Sequence, residues 1–147
     1  MNAVLIVGLP GSGKTHLAKT EFVPAGFHLI DDPRTLQDIS DGVAEALLNS
    51  AVGVVITDPN LVYPRNVANA IQFLDSIAVK TVQVIYFEND WRKAKANLEH
   101  RAKTGEDRGP INVEHFSKLY VIPDGVVTRE IYQTSPENLT NNTEDIT

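Results

Sequence analysis

Residues 8–15 read Gly-Leu-Pro-Gly-Ser-Gly-Lys-Thr. Glycines at this spacing let a backbone turn sharply and aim successive N–H groups at one point, which makes a cradle for an oxyanion. Lys14 supplies a cation that reaches the outer phosphates of a nucleotide. The Thr15 hydroxyl is a hard oxygen suited to Mg²⁺. The eight residues are a complete Walker A pattern, flanked by an apolar strand before and a helix after, which is the context the motif requires. Gly8, Pro10, Gly11, Ser12, Gly13, Lys14 and Thr15 are therefore the expected nucleotide-binding residues, with ATP and Mg²⁺ as the expected cofactors.

Three further groups could act on a phosphate held there. Asp31 and Asp32 end a short apolar run, Phe27 to Ile30, and Arg34 follows. A hydroxyl that attacks a γ-phosphoryl group needs a carboxylate close by to take its proton, and an arginine fork suits a phosphate on the attacking molecule. Asp58 ends a second apolar run, Val54 to Thr57, where a carboxylate can hold Mg²⁺ through water or fix Thr15. The third group is a basic stretch, Trp91 to Arg108, with six Lys and Arg against three acids. Its Arg101 and Arg108 flank a loop containing Gly105, the makings of a lid that keeps water from the transferring group.

These residues need a scaffold, and the hydrophobic pattern supplies one. Continuous apolar runs at Ala3 to Val7, Phe27 to Ile30, Val52 to Thr57, Thr81 to Phe87 and Val126 to Tyr132 read as buried parallel strands. Between them lie helical segments: one opening within Gly13 to Lys19, one with Leu36, Ile39, Val43 and Leu47 on a single face, and one from Pro64 with Val67, Ala70, Ile71, Leu74, Ile77 and Ala78 in register. Asp90 is placed to cap a helix from Trp91 to about Arg101, and Val113 to Tyr120 is a shorter helix. Strands alternating with helices predict a three-layer α/β domain around a parallel sheet of about five strands. Residues 1–134 form this domain. Residues 135–147 are a tail rich in Asn, Thr and Glu, of the composition that stays disordered.

The composition narrows the functional classes. The chain has 147 residues, no cysteine, and thirteen Lys and Arg against nineteen Asp and Glu, a net charge of −6. Disulfides and cysteine-bound metals are excluded. A protein that grips long duplex by its phosphates carries net positive charge, so only a local contact with a nucleic-acid end or a nucleotide is expected. The short apolar start lacks the features of a signal peptide or membrane span, which predicts a cytoplasmic protein with no membrane partner. No Asn-Lys-x-Asp run points to guanine.

The set Gly8-x-Pro-Gly-Ser-Gly-Lys-Thr15, Asp31-Asp-Pro-Arg34, Thr57-Asp-Pro-Asn-Leu61, a basic helix and Pro110-Ile-Asn-Val113 resembles the kinase domain of phage-type polynucleotide 5′-hydroxyl kinases, over residues 3 to about 120. The resemblance implies the strand order 2-3-1-4-5. It implies that Asp31 is the general base, that Arg34 contacts the acceptor phosphate, and that Arg101, Arg108 or both stabilise the γ-phosphoryl group beside Lys14. The acceptor implied is the 5′-hydroxyl of a DNA or RNA end. Related kinases act on hydroxymethylated bases in DNA or on nucleoside-like small molecules, and a nucleotide-binding switch without kinase activity is the alternative from another class. The chain departs from the pattern in a longer segment between Arg101 and Pro110, bearing Glu106-Asp107, and in having no phosphatase domain after it.

Overall fold

The computed structural model describes residues 1–103 and 111–133. Four strands form one parallel sheet: β1 (Asn2–Val7), β2 (Phe27–Asp31), β3 (Gly53–Thr57) and β4 (Thr81–Tyr86), in the order β2-β3-β1-β4. β1 is central and its residues from Ala3 to Val7 are almost wholly buried, which is why that run carries no polar side chain. Its register aligns Leu5 with Ile56 of β3 and with Val84 of β4. All four strands therefore deliver their carboxyl ends to one edge, where a ligand crevice lies in open α/β sheets.

Helix α1 (Lys14–Leu17) begins directly after the glycine-rich loop and widens into a π-helical turn at Ala18–Phe22. Helix α2 (Leu36–Leu48) opens on a capping box: the Thr35 hydroxyl accepts from the Asp38 N–H, and the Asp38 carboxylate accepts from the N–H groups of Thr35 and Arg34. Helix α3 (Pro64–Ser76) starts with proline at its first position and buries Val67, Ala70 and Leu74. Helix α4 (Trp91–Lys103) is capped by Asp90, whose carboxylate accepts from the Lys93 N–H at 3.3 Å. Helix α5 (Val113–Leu119) starts at Asn112, whose side chain accepts from His115 N–H. The Tyr120 hydroxyl donates to Phe87 O at 2.6 Å, with Val7 O at 3.3 Å, so it ties the ends of β1 and β4.

The fifth strand expected at Val126 to Tyr132 is a correction. Among the described residues the sheet has four strands, and the segment makes a single parallel bridge, Phe87 to Arg129. Arg129 N–H donates to Tyr86 O, and Glu88 N–H to Arg129 O, each at 2.8 Å. One step further, the Glu88 carboxylate takes the place of a main-chain partner and accepts from Ile131 N–H. The ladder stops there because β4 turns away into α4. Val127 is 93% exposed and only Ile131 is buried, so the apolar run reflects one anchor rather than a sandwiched strand. No helix among the described residues is long and apolar enough to cross a membrane. The expected tail, 135–147, lies outside the described residues.

Candidate nucleotide and acceptor site

The glycine-rich loop follows β1 without a break. Gly11 and Gly13 hold φ of 85° and 100°, the left-handed region that side chains disfavour. A Cβ on Gly11 would lie 2.4 Å from Ala94 O of α4, so the position also requires a bare backbone for close packing. Ser12 N–H closes the turn on Leu9 O. The Lys14 ammonium donates inward to Gly8 O at 3.0 Å and Leu9 O at 2.9 Å. Burial pushes the Lys14 pKa down to about 8, helped by the Arg101 charge and opposed by Asp58, Asp31 and Asp32. The Ser12 hydroxyl is fully buried with no hydrogen-bond partner among the described residues. Ser12 does not line the neighbouring cavity, and its hydroxyl is packed toward Gly8 beneath the loop.

Around the loop is a cavity of about 290 Å³, lined by Pro10, Gly11, Gly13, Lys14, Thr15, Asp31, Asp32, Thr57, Pro59, Leu98, Arg101, Ile111 and Phe116. Asp31 is tied into it twice. Its Oδ1 accepts from Thr57 Oγ1 at 2.5 Å and from Thr15 Oγ1 at 3.2 Å. Helix capping is not its task, since Thr35 and Asp38 do that for α2. Asp32 adopts φ of 50°, a conformation a short polar residue tolerates, and its N–H donates to Thr57 O at 2.7 Å. This kink at the end of β2 leaves Asp32 on the border with a second, larger groove of about 880 Å³ between α2 and α3, which it also lines.

Asp58 and Arg34 belong to that second groove. Asp58 accepts from Asn60 N–H at 2.9 Å and so caps the 3₁₀ turn Pro59–Val62. Its pKa is raised, mainly by burial, against the opposing hydrogen bond from Asn60. The Thr15 hydroxyl donates to Asp31, not to Asp58. The Arg34 main chain is held by Asp38, and the residue lines the groove. Arg101 on α4 lines the nucleotide cavity. Arg108, the other lid arginine, lies outside the described residues.

A hard cation fits this donor set. Thr15 and Asp31 offer adjacent oxygens beside the cradle. Among the described residues no three His, Asp or Glu side chains cluster to hold a metal by themselves. Mg²⁺ characteristically completes its shell with phosphate oxygens and water, and one or two protein oxygens suffice.

The chain resembles a viral protein. It is 29% identical over 121 residues to the uncharacterised protein R277 of Acanthamoeba polyphaga mimivirus, covering 81% of this chain and 86% of that protein. No family model matches. Two solution structures of de novo designed proteins with a P-loop NTPase fold align over 81% of this chain and 87% of theirs, at 11% and 12% identity and TM-scores of 0.40 and 0.42. The parallel order β2-β3-β1-β4, with the glycine-rich loop joining β1 to α1, is in itself a P-loop arrangement, the type of fold that binds nucleotides.

Several residues that build the site were given no role by the sequence. Thr57, which opens the Thr57-Asp-Pro-Asn-Leu61 run at the end of β3, holds Asp31. Asn97 is 1% exposed; its amide donates to Gly11 O at 2.8 Å and to Tyr132 O, which binds the loop to α4 and to the C-terminal segment. Tyr132 N–H donates to Ser12 O, and its ring stacks on His16 with centroids 4.3 Å apart. A polar residue on the inner side of an otherwise basic helix was the one available signal for Asn97.

Proposed function

We propose that this protein is an ATP·Mg²⁺-dependent kinase that transfers the γ-phosphoryl group to a hydroxyl, with the 5′-hydroxyl of a DNA or RNA end as the preferred acceptor. The observation that carries the reading is Asp31. One carboxylate oxygen is held by Thr57 and Thr15 beside Lys14, while the other has no partner among the described residues. A nucleotide-binding switch needs no such carboxylate at the border between a phosphate cradle and a second groove.

In this reading the loop N–H groups and Lys14 hold the β- and γ-phosphates. When bound, Mg²⁺ would be held by Thr15, with Asp58 through water, and would supply charge neutralisation at the phosphate oxygens. The acceptor oxygen attacks the γ-phosphorus in line, the bond to the bridging oxygen breaks, ADP leaves, and the hydroxyl proton passes to Asp31. Arg101 lies on the wall where charge on the transferring group can be balanced, and Arg108 is assigned the same role by resemblance. Arg34 receives the phosphate next to the acceptor hydroxyl.

A labelled-ATP transfer screen over DNA ends, RNA ends, DNA with hydroxymethylated bases, and free nucleosides tests the assignment. Strongest labelling of single-stranded 5′ ends is expected. Preferential labelling of internal modified bases, or equal rates on a nucleoside and its 3′-phosphate, would overturn the choice of acceptor.

A further inference from the structure

The groove between α2 and α3 has a chemical character of its own. Its charged walls are Asp32, Asp58 and Arg34, a combination that disfavours a polyanion and leaves one cation for one phosphate. The rest of its polar wall is carboxamide. Asn66, Asn69 and Gln72 recur at every third position of α3 and face the groove together. Asn66 donates to Asn60 O at 2.8 Å, which fixes its orientation. Asn69 and Gln72 make no hydrogen bond within the described residues and present a donor and an acceptor each. Beside them Phe73 gives a half-buried aromatic surface, and Ile39, Ile56 and Leu61 form an apolar floor.

A flat ring with amide-like edges suits such walls: the edge meets carboxamides, as it does when Asn or Gln reads a base, and the face meets apolar and aromatic surface. The volume of about 880 Å³ accommodates one nucleotide with room to spare, and the single arginine accommodates one phosphate. We infer that this groove takes the terminal nucleotide of the acceptor, with its base against Asn69, Gln72 and Phe73, its 3′-phosphate on Arg34 and its hydroxyl toward the Asp31–Asp32 border. The enzyme then recognises one nucleotide unit, and the rest of the strand lies outside the groove. The inference rests on the kinase reading of the same site and adds a base-recognition surface to it.

The test is a binding titration, independent of catalysis. Thymidine 3′-monophosphate and its abasic counterpart, 1,2-dideoxyribose 3-phosphate, are titrated into the full chain and into an Asn69→Ala/Gln72→Ala variant. Both positions are exposed on a helix where alanine is favourable, so the fold is retained, and a thermal melt verifies this. The base-bearing probe should bind at least about tenfold tighter than the abasic one, as expected for a stacked, hydrogen-bonded ring. The variant should reduce that ratio to about threefold or less. Equal affinity for the two probes, binding of neither, or a ratio that survives in the variant would overturn the inference. Transfer separates the two claims: an abasic-ended strand labelled with the same KM as an intact one removes the base contact and keeps the kinase, whereas labelling of neither strand removes the kinase while the titration still decides the groove.

Discussion

Lys14 carries the sharpest residue-scale consequences. Its ammonium is buried and donates to two loop carbonyls, and burial has lowered its pKa to about 8. Phosphates favour the charged form, so a bound nucleotide raises that pKa again. Nucleotide binding should therefore take up a proton above pH 8, and ATP affinity should fall as pH rises from about 8 toward the ordinary lysine value, by up to about tenfold per unit. Calorimetry in buffers of different ionisation heats measures this directly; a flat affinity up to pH 9.5 would contradict it. The unliganded fold carries the opposite linkage: its stability should rise over the same window, as the buried lysine becomes neutral. Lys14→Ala removes the cation and should cost at least about a hundredfold in transfer. The two aspartates are separated by partners. Asp31→Asn retains the Thr57 contact but loses the basic lone pair, and should cut transfer by roughly 10²- to 10⁴-fold with ATP affinity nearly unchanged. A crippled Asp32→Asn beside a mild Asp31→Asn, measured by single-turnover transfer, would move the base to Asp32. Arg34→Ala should raise the acceptor KM more than the ATP KM.

At the scale of elements, the loop is held from outside by α4. Asn97 bonds Gly11 O and Tyr132 O, and Gly11 packs on Ala94 O. Asn97→Ala leaves buried carbonyls unpaired and should destabilise the fold by about 1–3 kcal/mol. A thermal melt should show a drop of several degrees together with weaker ATP binding, and an unchanged melting temperature would show that the loop needs no such brace. These contacts also mark the limits of what sequence reveals. The glycine-rich loop, four of the strands and Asp90 as the cap of α4 were readable because local chemistry demands them: positive φ, continuous burial, a free first-turn N–H. The Asp31–Thr15 bond was not, since it depends on how β2 and α1 come to lie beside each other, and Asp58 was expected to hold Mg²⁺ through water or to fix Thr15. Val126 to Tyr132 reads as a strand by composition, yet its pairing ends after one bridge, where β4 gives way to α4 and the Glu88 side chain takes the Ile131 N–H. Asn97 was missed because a polar residue on a charged helix resembles its solvated neighbours until the packing is known.

The molecule as a whole is acidic, with net charge −6; of its Lys and Arg residues, Lys14 and Arg101 line the nucleotide cavity and Arg34 lines the second groove. Such a surface neutralises two or three phosphates of a strand, so acceptor affinity should fall gently with salt, with a log–log slope near about −2 to −3. A slope beyond about −6 would indicate a long phosphate track that the described surface does not offer. The central claim is that a phosphate cradle and an acceptor groove meet at Asp31 and Asp32 and work as one catalytic unit. The most direct measurement follows ADP formation and end labelling together, with and without a short single strand bearing a 5′-hydroxyl. If the account holds, ADP formation accelerates on adding the strand, and about one labelled 5′-phosphate appears for each ADP. An ADP rate that is unchanged by the strand, with no label on its end, would contradict it.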